Sequence, residues 1–158
     1  MATEEAKKQN TLRMAGMLMQ VLAGEVWDTL GETSIALSRG MGDALLEMFE
    51  KEQGLEIAGE NPEDVAREVD RIFCDELGFG KEITFEVNYE KKQAIVLVNG
   101  CINAPNTDKI IAAGARYNFT CPIMLVYSAL MRRSGEKGRV AIERWPEGHG
   151  CKIIFSSL

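Results

Sequence analysis

Few residues in this chain can do chemistry: four cysteines, Cys74, Cys101, Cys121 and Cys151, and one histidine, His149. Thiolates and a neutral imidazole are zinc ligands, and a tetrahedral four-ligand set can assemble from separated segments. Cys101, Cys121, His149 and Cys151 are the candidate set, with Glu143 or Glu147 able to add an oxygen. No Cys-x-x-Cys pair occurs, which argues against a zinc ribbon, a thioredoxin motif and a ferredoxin cluster. The competing reading is that free cysteines are small buried apolar residues. Cys121 has a third reading, because a thiol at a helix N-terminus has its pKa lowered by the helix dipole. No base can be assigned to it. His149 is a poor base for Cys151, since side chains two apart on a strand are roughly 6–7 Å apart.

Nucleotide and hydrolase motifs are missing. There is no glycine-rich loop ending in Gly-Lys-Ser/Thr and no Gly-x-Ser-x-Gly elbow. Gly78-Phe79-Gly80 follows a helical segment and opens a strand, the reverse of the dinucleotide-binding order. It reads as helix termination. Methionine usage is the other signal: the chain has 8, and Met14, Met17, Met19, Met41 and Met48 lie in its first two helical segments. Flexible thioethers suit adaptable apolar pockets. Met17, Val21, Trp27, Met41, Leu45, Phe49, Phe73, Met124 and Tyr127 are therefore the candidate lining of a hydrophobic-ligand site, against an ordinary core or a dimer interface.

The elements that must hold these residues follow from periodicity. Leu12, Ala15, Met19, Leu22 and Val26 recur at three and four residues, as on one helix face, and Gly31 stops that helix. Met14, Met17, Leu18 and Val21 widen the stripe, which predicts burial on more than one side. A second helix is expected from Ser34 to Gln53. Gly40 and Gly42 inside it cost about 1 kcal/mol each against alanine, so they imply a close approach or a break. Asn61 and Pro62 start a third helix, with Glu63 and Asp64 favoured by its dipole. The period then becomes two at Ile83, Phe85, Val87 and Tyr89. Gln93 to Val98 reads as a central strand. A short helix at Thr107 to Ala113, a helix from Cys121-Pro122 and two strands, Arg139 to Arg144 and Lys152 to Phe155, complete the chain. The fold class is α+β: N-terminal helices on a mainly antiparallel four-stranded sheet with a helical crossover.

The 158 residues are one domain's worth of sequence. Residues 1–9 are expected to be flexible, 10–80 to form the helical layer and 81–156 the sheet with its crossover. A net charge of −6 disfavours nucleic acid and anionic membranes as partners, because both need local positive charge. Arg132, Arg133, Lys137, Arg139 and Arg144 read as a solvated face. No apolar run approaches the roughly 20 residues of a membrane span, and no signal-peptide core follows the polar start. A cytoplasmic location with reduced cysteines is the expectation.

Together, a cysteine opening a helix (Cys121), a strand with a glutamate (Glu143) and the turn Gly148-His149-Gly150-Cys151 into the apolar Lys152-Ile153-Ile154-Phe155 resemble the 4-vinyl-reductase domain, including archaeal hydrocarbon-binding proteins. The likeness spans roughly residues 10–156, and its arrangement is more specific than any single motif. It implies an α+β, often dimeric fold, similar to sensor domains for aromatic compounds and to hydrophobic-ligand-holding subunits of the TRAPP tethering complex. It also implies zinc on cysteines near the sheet end. Cys121 and Cys151 match two of these. A third family cysteine falls near Trp145, where this sequence departs from the pattern and His149 or Cys101 would have to substitute. The expected function is non-enzymatic binding or sensing of a small hydrophobic molecule by a homodimer. The alternatives are a tetrapyrrole-reductase-like enzyme or accessory, and a structural homodimer or assembly subunit.

Overall fold

The computed structural model describes residues 3–157. Its element order is α1 (Glu4–Leu30), a 3-10 turn (Gly31–Ser34), α2 (Ile35–Glu52), α3 (Pro62–Asp70) running into a π-helical turn (Arg71–Glu76), β1 (Glu82–Asn88), β2 (Gln93–Asn99), α4 (Ala104–Ala112), α5 (Pro122–Arg133), β3 (Gly138–Trp145) and β4 (Gly150–Ser157). This is the α+β class that the periodicity predicts. The sheet order is β1-β2-β4-β3, with every neighbouring pair antiparallel. β2 is therefore central, and the helical crossover α4–α5 carries the chain from β2 to the far edge before β4 inserts between them.

Local sequence explains the ends of the elements. Thr3 caps α1, its Oγ1 accepting from the Ala6 amide, so the helix starts earlier than its apolar stripe. Residues 4–9, expected to be flexible, are its first turns; residues 1 and 2 lie outside the described residues. Gly31 closes α1 at φ 53°, its amide donating to the Trp27 carbonyl. Asn61 caps α3 by accepting from the Asp64 amide at 2.9 Å. Gly42 marks a close helix crossing: a Cβ there would lie 2.5 Å from the Leu125 carbonyl oxygen of α5. Gly40 has open space instead. The last hairpin needs its glycines for the same steric reason. A Cβ at Gly150 would meet the Val98 carbonyl oxygen, and one at Gly148 the Trp145 ring.

The main core lies between the sheet's inner face and α2, α3 and α5. Val96, Val98, Ile153 and Phe155 of the sheet pack with Val65, Val69, Ile72, Phe73, Met124, Tyr127 and Leu130. A smaller cluster of Ala23, Ile110, Ala115 and Phe119 fastens α1 and α4 together. The basic residues near the carboxy end are largely paired: Arg132 with Asp43, Arg133 with Glu50 and Arg144 with Asp108.

One expectation about the helical layer is corrected. α1 is not buried on more than one side. Ala23 is its sole buried residue, whereas Met14, Met17, Leu18, Val21 and Leu22 are each more than half exposed. The helix makes its main contacts with the 3-10 turn and α4, so one narrow face meets its own chain.

Candidate functional site

Two cavities flank the α4–α5 crossover. The first, about 370 Å³, opens between α1, α2 and the start of α5. Ala15 and Met19 of α1, Met41 and Leu45 of α2, Ile110 of α4 and Leu125 of α5 make its apolar wall. Gly16 adds a gap, since a Cβ there would meet nothing within 4 Å. Along one side runs a chain of amides. Gln20 Nε2 donates to Asn106 Oδ1 at 2.7 Å, and Asn106 Nδ2 donates to Asn103 Oδ1 at 2.9 Å. These groups satisfy one another, so they add polarity without leaving a charge. Thr120, also in the lining, is held by Asn118, whose Oδ1 accepts from the Thr120 amide and hydroxyl. No ionisable side chain lines this cavity. It can hold an apolar body by burial, with a few hydrogen-bonding groups to orient one end.

The second cavity, about 540 Å³, lies against the edge strand β3 and is chemically different. Ile35, Ile111, Val140 and Ile142 share its lining with Arg116, Glu143 and Arg144. The Arg144 guanidinium is committed: it donates to Asp108 at 2.6 and 3.2 Å and to the Trp145 and Gly150 carbonyls. Arg144 beside Asp108 holds that carboxyl below its ordinary value.

The candidate ligand residues go to three destinations. Met41 and Leu45 line the apolar cavity. Phe49, Phe73, Met124 and Tyr127 are packed in the solid core and line neither cavity. Met17 and Val21 face outward, and Trp27 packs edge-on against Tyr117 at 5.5 Å. Met19, one of the methionines the sequence singles out, lines the cavity too, whereas Ala15, Gly16, Ile110 and Leu125 were missed, the first two because small residues give space rather than contact. Gly16 in an apolar helix was the available signal.

Three of the four cysteines come together in the interior. Cys101, Cys121 and Cys151 are buried and close enough to perturb one another electrostatically. Burial pushes the Cys121 thiol up to about 12, with Cys151 adding to the shift. This overturns the reading of a dipole-activated Cys121: the amides of Ile123 and Met124 favour the thiolate, but desolvation outweighs them. Burial likewise raises Cys151 to about 11, and Cys74 to about 12 with the help of a hydrogen bond with Asp70. His149, held at φ 47°, exposes its side chain, and its carbonyl accepts from the Cys101 amide at 3.1 Å. Glu143 faces Lys152 at 3.9 Å and Glu147 is exposed. Among the described residues, no three of His, Cys, Asp or Glu are arranged to hold a metal ion. Among the same residues, no helix is long and apolar enough to cross a membrane.

The order of helices and strands is shared with a trafficking protein particle complex subunit 3 from Naegleria fowleri, solved covalently bound to palmitic acid. The two align at TM-score 0.58 and 14% identity, over 92% of this chain and 96% of that one. At that identity the likeness is one of fold. No curated protein matches the chain. Residues 14–158 match the family described as "Putative rubredoxin C-terminal domain", and the chain belongs to that family. The family's name points to an iron protein, but the four cysteines include no Cys-x-x-Cys pair, and among the described residues no three metal-ligating side chains are arranged to hold an ion.

Proposed function

We propose that the protein binds a small hydrophobic molecule, for sensing or carriage, in the cavity between α1, α2 and α5. The observation that carries this reading is the uncharged, largely apolar lining of that cavity. Its volume lies within the roughly 300–1,000 Å³ of small-molecule sites. Each methylene moved into it from water contributes about 0.8 kcal/mol before ordering costs. The palmitic acid held by the trafficking-complex subunit supports an acyl or similar hydrocarbon chain as the ligand class. The larger cavity supports this reading less well, because Arg116, Glu143 and Arg144 would meet an apolar guest with charge. Four free thiols suit a reducing compartment such as the cytoplasm.

Gly16→Leu tests the proposal. The new side chain points into open space inside the cavity, and exchanging glycine for leucine favours the helix by roughly 0.5–1 kcal/mol. Native mass spectrometry of gently purified wild-type protein is expected to show a retained hydrophobic molecule. A fluorescent polyene fatty acid is expected to bind wild type and to lose at least about tenfold in affinity for Gly16→Leu. A wild-type protein that retains nothing and ignores the probe, or a variant that binds it unchanged, overturns the reading.

A further inference from the structure

We infer that the cavity between α1, α2 and α5 selects an uncharged acyl derivative, a hydrocarbon chain ending in an ester carbonyl, over the ionised form of the corresponding fatty acid. The inference rests on that cavity being the binding site, and adds which polar end its ligand carries. The wall is contributed by α1, α2, α4, α5 and the segments leading into β1, α4 and α5, and none of them places a titratable side chain in it. Its polar side chains, Gln20, Asn103, Asn106 and Thr120, are all neutral. Cys101 and Cys121, close in sequence to Asn103 and Pro122, stay neutral as well, because burial raises both thiols. An anion entering such a space exchanges water for carbon and amides. No guanidinium or ammonium offsets that loss, so a carboxyl must take up a proton to follow its chain inside. An ester has no charge to lose and needs only a donor for its carbonyl.

The amides supply that donor, because their ladder has a direction. Gln20 donates to Asn106, and Asn106 donates onward to Asn103 Oδ1. Each link uses the donor of one amide and the acceptor of the next, so the two ends differ. Among the described residues, Asn103 Nδ2 has no acceptor and Gln20 Oε1 has no donor. Asn103 is not occupied in capping α4 either, since its side chain makes no cap hydrogen bond. Amides linked in this way polarise one another, which strengthens the donor at the end of the run. An ester carbonyl can accept from it. A carboxylate could accept there too, but one neutral donor does not replace its water shell. Thr120 offers no second donor, because its amide and its hydroxyl both donate to Asn118 Oδ1. The unpaired Gln20 oxygen adds an acceptor to the wall, which disfavours an anion further.

The probes are the free acid and the methyl ester of one fluorescent polyene fatty acid, titrated into the full chain between about pH 8 and about pH 5.5, a range above the ordinary carboxyl value. The signal counted is the part that Gly16→Leu removes, which separates this cavity from the larger one with Arg116 and Arg144 in its lining. At the alkaline end the ester is expected to bind at least about tenfold more tightly than the acid. As the pH falls the acid should gain affinity, by up to about tenfold per unit where only its protonated form enters. The ester should stay level, which shows that the protein itself is unchanged. Gln20→Lys keeps a donor for Asn106 Oδ1 and adds the missing cation, so it is expected to reverse the order and favour the acid. Equal affinities at the alkaline end, an acid that ignores pH, or a Gln20→Lys protein that folds and still prefers the ester overturns the inference and leaves the cavity reading standing. Failure of both probes to bind, or binding that Gly16→Leu leaves untouched, overturns the two together.

Discussion

Helices α1 and α5 are both rich in methionine and leucine, yet they meet opposite fates. From Ile123 to Met131, α5 buries every residue except Ser128. α1, more than twice as long, buries one. α5 lies between the sheet and α2, so its whole circumference finds apolar partners. α1 lies at the margin, its main contacts being the 3-10 turn and α4. Apolar content therefore does not by itself say how much of a helix its own fold buries. α5 belongs to the filled half of the molecule and α1 to the half with gaps.

That division makes measurable demands. Phe73 is 1% exposed and stacks edge-on with Phe49 and Phe79. Phe73→Ala is expected to lower the unfolding free energy by about 3–5 kcal/mol in urea titrations. Val21→Ala, at a position 60% exposed, should stay within about 0.5 kcal/mol. Equal effects would erase the distinction between the two helices. Gly42→Ala comes next. Its Cβ would press on the Leu125 carbonyl oxygen, so α2 and α5 must separate, at about 1–3 kcal/mol. Gly40→Ala, one residue pair away with open space, should instead stabilise by up to about 1 kcal/mol.

The effect confined to alkaline pH concerns the buried thiols. Unfolded, Cys121 and Cys151 ionise near the ordinary value of 9.0; folded, they keep their protons to about 12 and about 11. Between those limits the folded state holds more protons than the unfolded one, so stability falls as pH rises. Below 9.0 both states are protonated and these groups impose no slope. The expected loss is about 1.4 kcal/mol per pH unit for each thiol. It is read as the difference in urea midpoint between wild type and Cys121→Ala across pH. Identical slopes would mean that the thiol is more solvated than its burial implies.

The sequence was legible wherever one chain segment carried the whole signal. Period two at Ile83, Phe85 and Val87, the Asn61-Pro62 start and the Gly31 stop all correspond to real elements. Gly42 was readable as a close approach because a glycine inside a helix costs free energy without a contact to justify it. The site was legible in part. Met41 and Leu45 line the cavity, but Phe73, Met124 and Tyr127 have the same composition signal and fill the core. Hydrophobicity alone cannot separate a wall from a filling, since both are buried apolar carbon. The raised thiol pKa of Cys121 was hidden for a related reason: the dipole that lowers it is local, whereas the desolvation that prevails comes from three other segments folding over it.

β4, the last strand of the chain, occupies an interior place in the sheet. A nascent polypeptide that has emerged through β3 holds two separated fragments, the β1–β2 hairpin and an unpaired edge, with nothing to bridge them. Only when Gly150–Ser157 slides in do both ladders form at once. Completion of the sheet is thus a single late event, and shortening the chain by that one ribbon would divide the fold instead of trimming it.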